Sequence, residues 1–404
     1  MRTTAPGDPL ISPYKNKNRN LKLLGILKLM LFATPVLAQT KRELSLQWEQ
    51  IQTLPPDSGQ SVSLGVAGPV TGTYNGWLLV AGGANFPKGM PWEGGAKKYY
   101  DRISLYRQER HQLKLHSTSF KLPQPLAYSA NCTTPEGLLV AGGENENGYS
   151  DKVWLIRITP KGQLSITTLP ALPVPISNAA ITITGHTVYL AGGENNHQTF
   201  DQLLALDLDT INEGWKKLSA IPQPVSHTVF TAGKNNNGPF LYLCGGRRKN
   251  NNDISTICND LWVYDVKGNK WEKKAALPYN LCAGTGIQTD DHSILLFGGD
   301  KGIVFNKVET LITAISKESD PVRKKELTAE KNKLQSTHPG FSRDILRYSV
   351  DEDKWYPLGE LPYETPVTTT AVQIRQGILI PSGEIKAGVR TPGILKLKIR
   401  HKQP

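Results

Sequence analysis

The hexapeptide Leu138-Leu139-Val140-Ala141-Gly142-Gly143 and five related stretches decide the fold. Each is an apolar run that ends in a glycine pair or, in the last copy, in Ser-Gly. The copies span residues 78–83, 138–143, 188–193, 241–246, 294–299 and 378–383, and their starts are 60, 50, 53, 53 and 84 residues apart. A buried strand that exits through paired glycines needs positive φ angles and close packing. The pattern therefore indicates six repeated β units.

A second mark, an apolar residue followed by proline, recurs after the glycine pairs. It stands at Leu122, Leu169, Ile221, Leu277 and Leu361, and three copies follow a tryptophan by six residues, at Trp215, Trp271 and Trp355. The last glycine stretch has no such mark after it, but Trp48 and Leu54-Pro55 show the same spacing near the N-terminus. A repeat of about 50 residues is typical of Kelch blades. The prediction is an all-β fold, a six-bladed Kelch-type β-propeller closed by an N-terminal strand.

The longest interval between two glycine stretches, from the fifth to the sixth, contains a segment whose composition differs from that of the strands. Residues 305–335 are rich in Lys, Glu and Leu, which favours helices over strands. We expect a short helical insert in blade five, at about residues 304–338. Because long loops in compact domains are often functional, a lid and a plain spacer both stay open.

Residues 1–38 have the pattern of a secretory signal peptide. Lys15, Lys17 and Lys22 precede an apolar run over residues 23–38 that ends in small residues, so cleavage after Ala38 is expected. The run has 16 residues, whereas a membrane-spanning helix needs about 20. The prediction is an exported protein, periplasmic or secreted and without a membrane anchor after cleavage, whose residues 39–404 form the propeller.

The net charge and the cysteine spacing indicate which kinds of binding partner the protein has. Residues 1–38 hold six basic and one acidic residue, so their removal lowers the net charge from +12 to +7. The remaining Lys and Arg are scattered, which argues against a nucleic-acid partner. Cys132, Cys244, Cys258 and Cys282 match no metal-ligand spacing. The sequence is compatible with a Cys244–Cys258 disulfide and equally with four buried free thiols. It also leaves open whether the protein forms a homodimer.

Polar residues follow the glycine stretches, where the loops of a propeller emerge on one face. The residues expected to converge there are Asn85, Glu144, Asn145, Glu194, Asn195, Arg247, Arg248, Asp300, Glu384, Lys386 and Arg390. The most specific loop spans residues 382–391, with Glu384 beside the glycine turn and Arg390 six residues later. Arginine binds carboxylates in a bidentate manner and glutamate transfers protons, so this pair suits an enzyme that acts on an anionic sugar.

This loop and the repeat resemble the sialic acid mutarotase family, also called N-acetylneuraminate epimerase, whose members carry a G-E-x-K-x-G-x-R-T stretch. The segments at residues 81–89 and 97–106 and the helical insert also resemble parts of that family. The loop lies in the last blade here, which is similar to the cyclically permuted branch. One departure is Ser382, which replaces the first glycine of the pair.

The resemblance implies an isomerase that interconverts the α and β anomers of N-acetylneuraminate. Glu384 would be the proton acceptor and Arg390 its functional partner, bound to the sugar carboxylate. Further substrate-binding residues would be Asn85, Glu144, Asn195, Arg247 and Lys386. No metal and no organic cofactor is implied. Two other hypotheses stay open: a non-catalytic Kelch propeller that binds a glycan or protein, and an enzyme for another sugar acid.

Overall fold

The sequence repeat forms six antiparallel sheets arranged as the blades of a β-propeller. The computed structural model describes residues 44–109, 112–235, 238–250, 253–289 and 293–401. In each blade the strand that ends at the glycine stretch is second from the channel, and the chain runs outward from an inner strand to an outer one. The predicted fold class is therefore confirmed, whereas the assignment of the repeats to the Kelch type stays a prediction.

The first strand that the structure describes belongs to the last blade, and blades one to three follow it. It is β1 (Leu44–Thr53). Blade one contains β2 (Ala67–Tyr74), β3 (Trp77–Asn85), a 3-10 turn (Pro91–Glu93), β4 (Lys98–Tyr99), β5 (Ile103–Glu109) and β6 (Gln112–Ser117). Blade two contains β7 (Ala130–Thr134), β8 (Gly137–Ala141), the small hairpin β9 (Glu144–Asn145) and β10 (Gly148–Tyr149), β11 (Val153–Ile158) and β12 (Leu164–Leu169). Blade three contains β13 (Ala180–Thr184), β14 (Thr187–Ala191), β15 (Leu203–Asp207), a 3-10 turn (Ile211–Glu213) and β16 (Lys216–Lys217).

Blades four to six complete the propeller. Blade four contains β17 (Val229–Asn235), β18 (Gly238–Asn250), β19 (Asp253–Asp265) and β20 (Lys270–Lys274). Blade five contains β21 (Thr285–Thr289), β22 (Ser293–Gly299), the helices α1 (Ile303–Lys317) and α2 (Pro321–Ser336), β23 (Ser342–Ser349) and β24 (Lys354–Glu360). Blade six contains β25 (Val372–Ile374), β26 (Gly377–Lys386), β27 (Val389–His401) and, as its outer strand, β1.

The predicted closure by an N-terminal strand is confirmed. β1 pairs antiparallel with β27, with Trp48 opposite Leu397. The Trp48 ring meets the Phe297 ring of blade five edge-on, with 5.5 Å between the ring centres. The last blade thus joins both ends of the described chain.

The core consists of one apolar cluster between each pair of neighbouring blades. Leu79 and Val140 represent the cluster between blades one and two, and Leu78 and Leu379 represent the cluster between blades one and six. Four more clusters fill the other interfaces. Because both faces of a blade are buried in this way, the middle strands are continuous apolar runs and do not alternate.

The tryptophan mark also has a physical reason. The indole N–H of Trp215 donates to the Pro170 carbonyl oxygen at 3.0 Å, and that of Trp355 donates to the Ala275 carbonyl oxygen at 2.8 Å. In each case the acceptor belongs to the end of the preceding blade. In blades three and five the tryptophan therefore ties the start of the outer strand to the preceding blade.

The helical insert lies where the sequence placed it, between β22 and β23, and spans α1 and α2. All four cysteines are free thiols in the structure. Cys244 pairs with Leu261 and Cys258 pairs with Gly246, so the two thiols are out of register across the β18–β19 ladder. The structure thus has no Cys244–Cys258 bond.

The predicted signal peptide, residues 1–38, lies outside the described residues. Among the helices that the structure describes, none combines the length and apolar character that crossing a membrane requires.

Candidate functional site

The first residue after the glycine stretch has the same place in every blade. In blades two to six it is charged, and its backbone forms a bridge to a residue shortly before the inner strand. These residues are Glu144, Glu194, Arg247, Asp300 and Glu384. Blade one has Ala84 there, paired with Ala67. Five charged residues therefore surround one mouth of the central channel, and we call them the charged ring.

A closed circle of backbone hydrogen bonds lies beside the charged ring. One residue per blade donates its N–H to the carbonyl oxygen of the equivalent residue in the preceding blade, at 2.7–3.0 Å. The six residues are Gly68, Tyr128, Asn178, His227, Ala283 and Thr368. All of them line a cavity of about 130 Å³. The circle holds the six loops, and with them the charged ring, at fixed mutual positions.

The candidate catalytic pair lies on a hairpin that extends blade six above the channel. Glu384 of β26 and Arg390 of β27 are backbone partners, and the turn between them uses Gly388 with a φ of 75°. The Gly388 N–H donates to Glu384 Oε1 at 2.8 Å. Arg390 Nη1 lies 3.6 Å from the same oxygen. Backbone pairing therefore places the guanidinium next to the carboxylate.

Arg390 is buried, and some of its N–H groups have no hydrogen-bond acceptor among the described residues. Its side chain is 4% exposed and its guanidinium lies over the Phe86 ring at 4.7 Å. Nε and Nη1 are buried and have no hydrogen-bond partner among the described residues. Leaving such donors unpaired is unfavourable, and a carboxylate is the ligand that a guanidinium binds best. Arg390 is thus suited to hold an anionic group against Glu384.

A second cluster surrounds Glu144 in blade two. Glu144 Oε1 accepts hydrogen bonds from the Tyr99 hydroxyl at 2.8 Å and from Lys97 Nζ at 3.3 Å, and Oε2 accepts one from Ser177 Oγ at 3.2 Å. Lys97 Nζ also lies 5.1 Å from the centre of the Tyr128 ring. Burial opposes ionisation of Lys97, yet Tyr128 and Glu144 raise its pKa, so the ammonium is retained.

A third cluster is centred on Glu194 in blade three. Its carboxylate accepts from Arg247 Nη2 at 2.6 Å and from Ser226 Oγ at 2.7 Å, and Lys249 Nζ lies at 3.5 Å. Burial by itself would raise the pKa of the Glu194 carboxyl. The pKa is instead lowered to about 2 by nearby positive charges, which are those of His227 in its protonated form, Arg247 and Lys249. Burial lowers the pKa of His227 to about 3. At neutral pH the two cations therefore hold an ionised Glu194 beside a neutral imidazole.

The helical insert borders this cluster. The Phe305 ring of α1 lies 5.1 Å from the guanidinium carbon of Arg247. Glu309 of α1 accepts from the Ser255 N–H and hydroxyl of blade four, at 2.7 and 2.8 Å. Asn332 of α2 donates to the Trp92 carbonyl oxygen of blade one at 3.2 Å. The insert therefore reaches from blade four to blade one on the face that carries the hairpin.

A sequence model of the N-acetylneuraminate epimerase family matches residues 169–403, more than half of the chain. The chain belongs to this family. The match includes Glu384 and Arg390 and also the cluster of Glu194 and Arg247. Tyr99 and Glu144 lie before it.

Individual N-acetylneuraminate epimerases are similar to parts of the chain. That of Vibrio vulnificus is 26% identical over 204 residues, 49% of this chain and 52% of the relative. That of Vibrio cholerae is 26% identical over 208 residues, with the same coverage. That of Brucella melitensis is 38% identical over 122 residues, 29% of this chain and 31% of the relative. The chain spans about half the length of the first two relatives.

The predicted site residues of this N-acetylneuraminate epimerase family member divide into two groups. Glu384, Arg390, Glu144 and Arg247 lie together around the channel mouth. Asn85 lies one residue beyond the ring position of blade one. Its side chain is buried, donates to the Gly65 carbonyl oxygen and accepts from the Tyr100 hydroxyl, both at 2.8 Å. Because side chains alternate along a strand, this one-residue offset directs Asn85 away from the ring.

The side chains of Asn195 and Lys386 also have partners within the protein. Asn195 Oδ1 accepts from the backbone N–H groups of His197 and Gln198, at 2.9 and 3.1 Å, and so closes its own turn. Lys386 Nζ pairs with Glu364 at 2.9 Å on an exposed edge of the hairpin. The substrate-binding roles of Asn85, Asn195 and Lys386 stay predictions.

Sequence reasoning missed several residues of the site. Glu194 and Asp300 belong to the residues that the sequence predicts to converge but not to the predicted substrate-binding set, although both occupy the ring position. Lys97, Tyr99 and His227 are absent from both predicted sets. Among the described residues, no group of three or more His, Cys, Asp or Glu is placed to hold a metal ion. The prediction that none is needed remains untested.

Proposed function

We propose that this protein is a sialic acid mutarotase, which interconverts the α and β anomers of N-acetylneuraminate through the open-chain ketone. The observation that carries the proposal is the buried Arg390, whose Nε and Nη1 have no hydrogen-bond partner among the described residues and lie beside the Glu384 carboxylate. Membership of the N-acetylneuraminate epimerase family supports the same substrate class. The export predicted from residues 1–38 is part of this proposal.

Glu384 acts as the base in the proposed mechanism. It takes the proton of the anomeric hydroxyl, the ring C–O bond breaks as the ketone forms, and the protonated Glu384 gives this proton to the ring oxygen. After rotation of the ketone, Glu384 takes the proton back from that hydroxyl, whose oxygen adds to the other face of the ketone, and then gives the proton to the former ketone oxygen. Oε1 of Glu384 is held by Gly388 and Arg390, and Oε2 has no hydrogen-bond partner among the described residues. Oε2 is therefore the oxygen that meets the substrate.

Arg390 binds the sugar carboxylate and so fixes the anomeric carbon next to Glu384. Glu144 and Arg247 lie on the same charged ring and contact the glycerol and N-acetyl groups. General acid/base catalysis is worth about 10²–10⁴-fold. A gain of this size is sufficient here, because the reaction already proceeds in water.

The decisive experiment is NMR of freshly released α-N-acetylneuraminate, with and without the protein. We expect the wild type to accelerate appearance of the β anomer. Glu384→Gln keeps the size of the side chain but removes the base, so we expect a loss of about 10²-fold or more. The matched control is Glu360→Gln, since Glu360 is an exposed carboxylate on the outer strand of blade five.

Two outcomes contradict the proposal. A wild-type protein that binds the sugar without accelerating anomer exchange is a binding propeller, as in the non-catalytic hypothesis. Full activity in Glu384→Gln, with the same circular dichroism spectrum as the wild type, removes Glu384 from the mechanism.

A further inference from the structure

The charged ring has a gap at blade one. Ala84 occupies the ring position there, between Glu384 of blade six and Glu144 of blade two. An alanine side chain offers a sugar no hydrogen bond, so a polar side chain on this side of the channel mouth must come from another position. Tyr128 is a candidate, because it directly follows Ala127, the backbone partner of Glu144.

The Tyr128 ring lies against blade one. Its N–H donates to the Gly68 carbonyl oxygen at 2.9 Å, and the Gly68 N–H donates to that of Thr368 in blade six at 2.7 Å. A Cβ added to Gly68 would lie 2.6 Å from Cδ1 and 2.8 Å from Cγ of Tyr128. Glycine at position 68 therefore makes room for the ring. Since Gly68 stands between Tyr128 and blade six, the ring is displaced towards the hairpin that carries Glu384.

The Tyr128 hydroxyl lies within reach of the charges of two clusters. Burial raises its pKa above the ordinary value of 10.0, Lys97 and Arg390 oppose this shift, and Glu384 and Glu144 add to it. Lys97 Nζ lies 5.1 Å from the centre of the ring. At neutral pH the hydroxyl therefore keeps its proton. Tyr128 is a neutral donor between the Glu384–Arg390 pair and the Glu144 cluster.

This hydroxyl is not engaged by the protein. The charged side chains act on it through their charge alone, and none of the described residues forms a hydrogen bond with it. The residue is half-buried and lines the cavity of about 130 Å³ inside the circle of backbone hydrogen bonds. A phenol can both donate and accept a hydrogen bond. The hydroxyl is thus available to a ligand in the channel mouth.

The backbone circle does not explain why this residue is a tyrosine. Tyr128 has a φ of 57°, in the left-handed region that bulky residues avoid. Only its N–H and carbonyl groups take part in the circle, and the same place holds Gly68 in blade one and Ala283 in blade five. Strained residues of this kind cluster at functional sites. The side chain therefore points to a role in the site.

Ring opening of the sugar creates a demand for such a donor. As the ring C–O bond breaks, its electron pair moves to the ring oxygen, which carries excess negative charge until Glu384 gives it the proton. A hydrogen-bond donor that is already in place stabilises this charge without reorganisation. The ionised Glu384 and Glu144 cannot do so, because a carboxylate only accepts hydrogen bonds.

We propose that the Tyr128 hydroxyl donates a hydrogen bond to the sugar ring oxygen while the ring C–O bond breaks, a role that rests on the proposed mutarotase function. The phenol keeps its own proton, and Glu384 supplies the proton that the ring oxygen takes up. Arg390 holds the sugar carboxylate, and Tyr128 stabilises the leaving oxygen on the same carbon atom. Tyr128 is then a further catalytic residue.

The test compares Tyr128→Phe with the wild type. The variant keeps the ring against Gly68 and loses only the hydroxyl. NMR of freshly released α-N-acetylneuraminate at several concentrations gives kcat and KM, and we expect kcat to fall about 10- to 100-fold, as for loss of a hydrogen bond to a charged atom. The bond gains strength only in the transition state. The Kd of the methyl α-glycoside of N-acetylneuraminate, measured by isothermal titration calorimetry, should therefore change about twofold or less.

Tyr74→Phe is the matched control. It removes the hydroxyl of another half-buried tyrosine, which donates to the Pro135 carbonyl oxygen at 3.0 Å, and should keep the wild-type kcat. Binding of the glycoside by Tyr128→Phe also shows that the variant is folded.

The outcomes separate this role from the mutarotase proposal. If the wild type is active and Tyr128→Phe has the same kcat, the role of Tyr128 is wrong and the mutarotase proposal stands. A weaker Kd with unchanged kcat also overturns the role, because Tyr128 would then bind substrate and transition state equally. If the wild type does not accelerate anomer exchange, the mutarotase proposal fails and the role of Tyr128 fails with it.

Discussion

At the scale of single residues, Glu194 shows how burial and charge set a pH dependence. Its folded pKa of about 2 lies below the ordinary value of 4.5. The unfolded chain therefore takes up the proton first as the pH falls. The stabilisation by the ionised carboxylate is complete above about pH 4.5 and disappears towards pH 2.

We accordingly expect Glu194→Gln to lower the free energy of unfolding at pH 7 and to reduce its decline between pH 4.5 and 2. Urea unfolding across this range measures both effects. His227 adds a decline in the same direction, between its ordinary pKa of 6.5 and its folded pKa of about 3, and the variant retains this part. Glu360→Gln should keep the wild-type profile. An unchanged acid limb in Glu194→Gln would show that Arg247 and Lys249 do not stabilise the carboxylate.

At the scale of elements, β1 is the strand on which ring closure depends. Its side chains enter the clusters on both sides of blade six, Ile51 towards blade one and Trp48 towards blade five. Without β1, the edge of β27 and both clusters are exposed. We expect deletion of residues 45–55 to abolish cooperative thermal unfolding, measured by circular dichroism.

The control for this deletion is Gln47→Ala, which changes an exposed side chain of the same strand and should leave the transition midpoint unaltered. A deletion variant that still unfolds cooperatively near the wild-type midpoint would show that five complete blades and a partial sixth suffice.

At the scale of the whole molecule, the circle of backbone hydrogen bonds fixes six blades at once. Each of its members has a φ between 51° and 63°. Glycine adopts this region freely, whereas other residues lose about 1–2 kcal/mol. Only blade one meets the requirement with a glycine, Gly68, and there a Cβ would lie 2.5 Å from the Tyr128 backbone nitrogen.

This asymmetry gives a paired prediction. Ala283→Gly should raise the free energy of unfolding by about 1 kcal/mol, since it relieves left-handed strain. Gly68→Ala should lower it by about 2 kcal/mol or more, since it adds the strain and a clash at the seam. Urea unfolding of the two variants tests the pair, and equal effects of both would contradict it.

Much of this architecture can be predicted from local patterns. Six glycine stretches, the Trp and Leu-Pro marks and the composition of residues 305–335 indicate the blades, the closing strand and the insert. These features depend on backbone conformation and hydrophobicity, which a short window of residues expresses directly. The candidate pair Glu384 and Arg390 was predictable for a similar reason, because a tight hairpin brings residues six apart into contact.

The rest depends on strand register and on how blades meet. The ring position is occupied by Glu194 and not by Asn195 in blade three, and by Ala84 and not by Asn85 in blade one. A shift of one residue along a strand reverses the direction of a side chain, so the register decides which residue faces the channel mouth. The contact of Arg390 with Phe86 joins residues about 300 positions apart. No local pattern encodes such distances. They follow from closure of the ring, which is a property of the folded molecule.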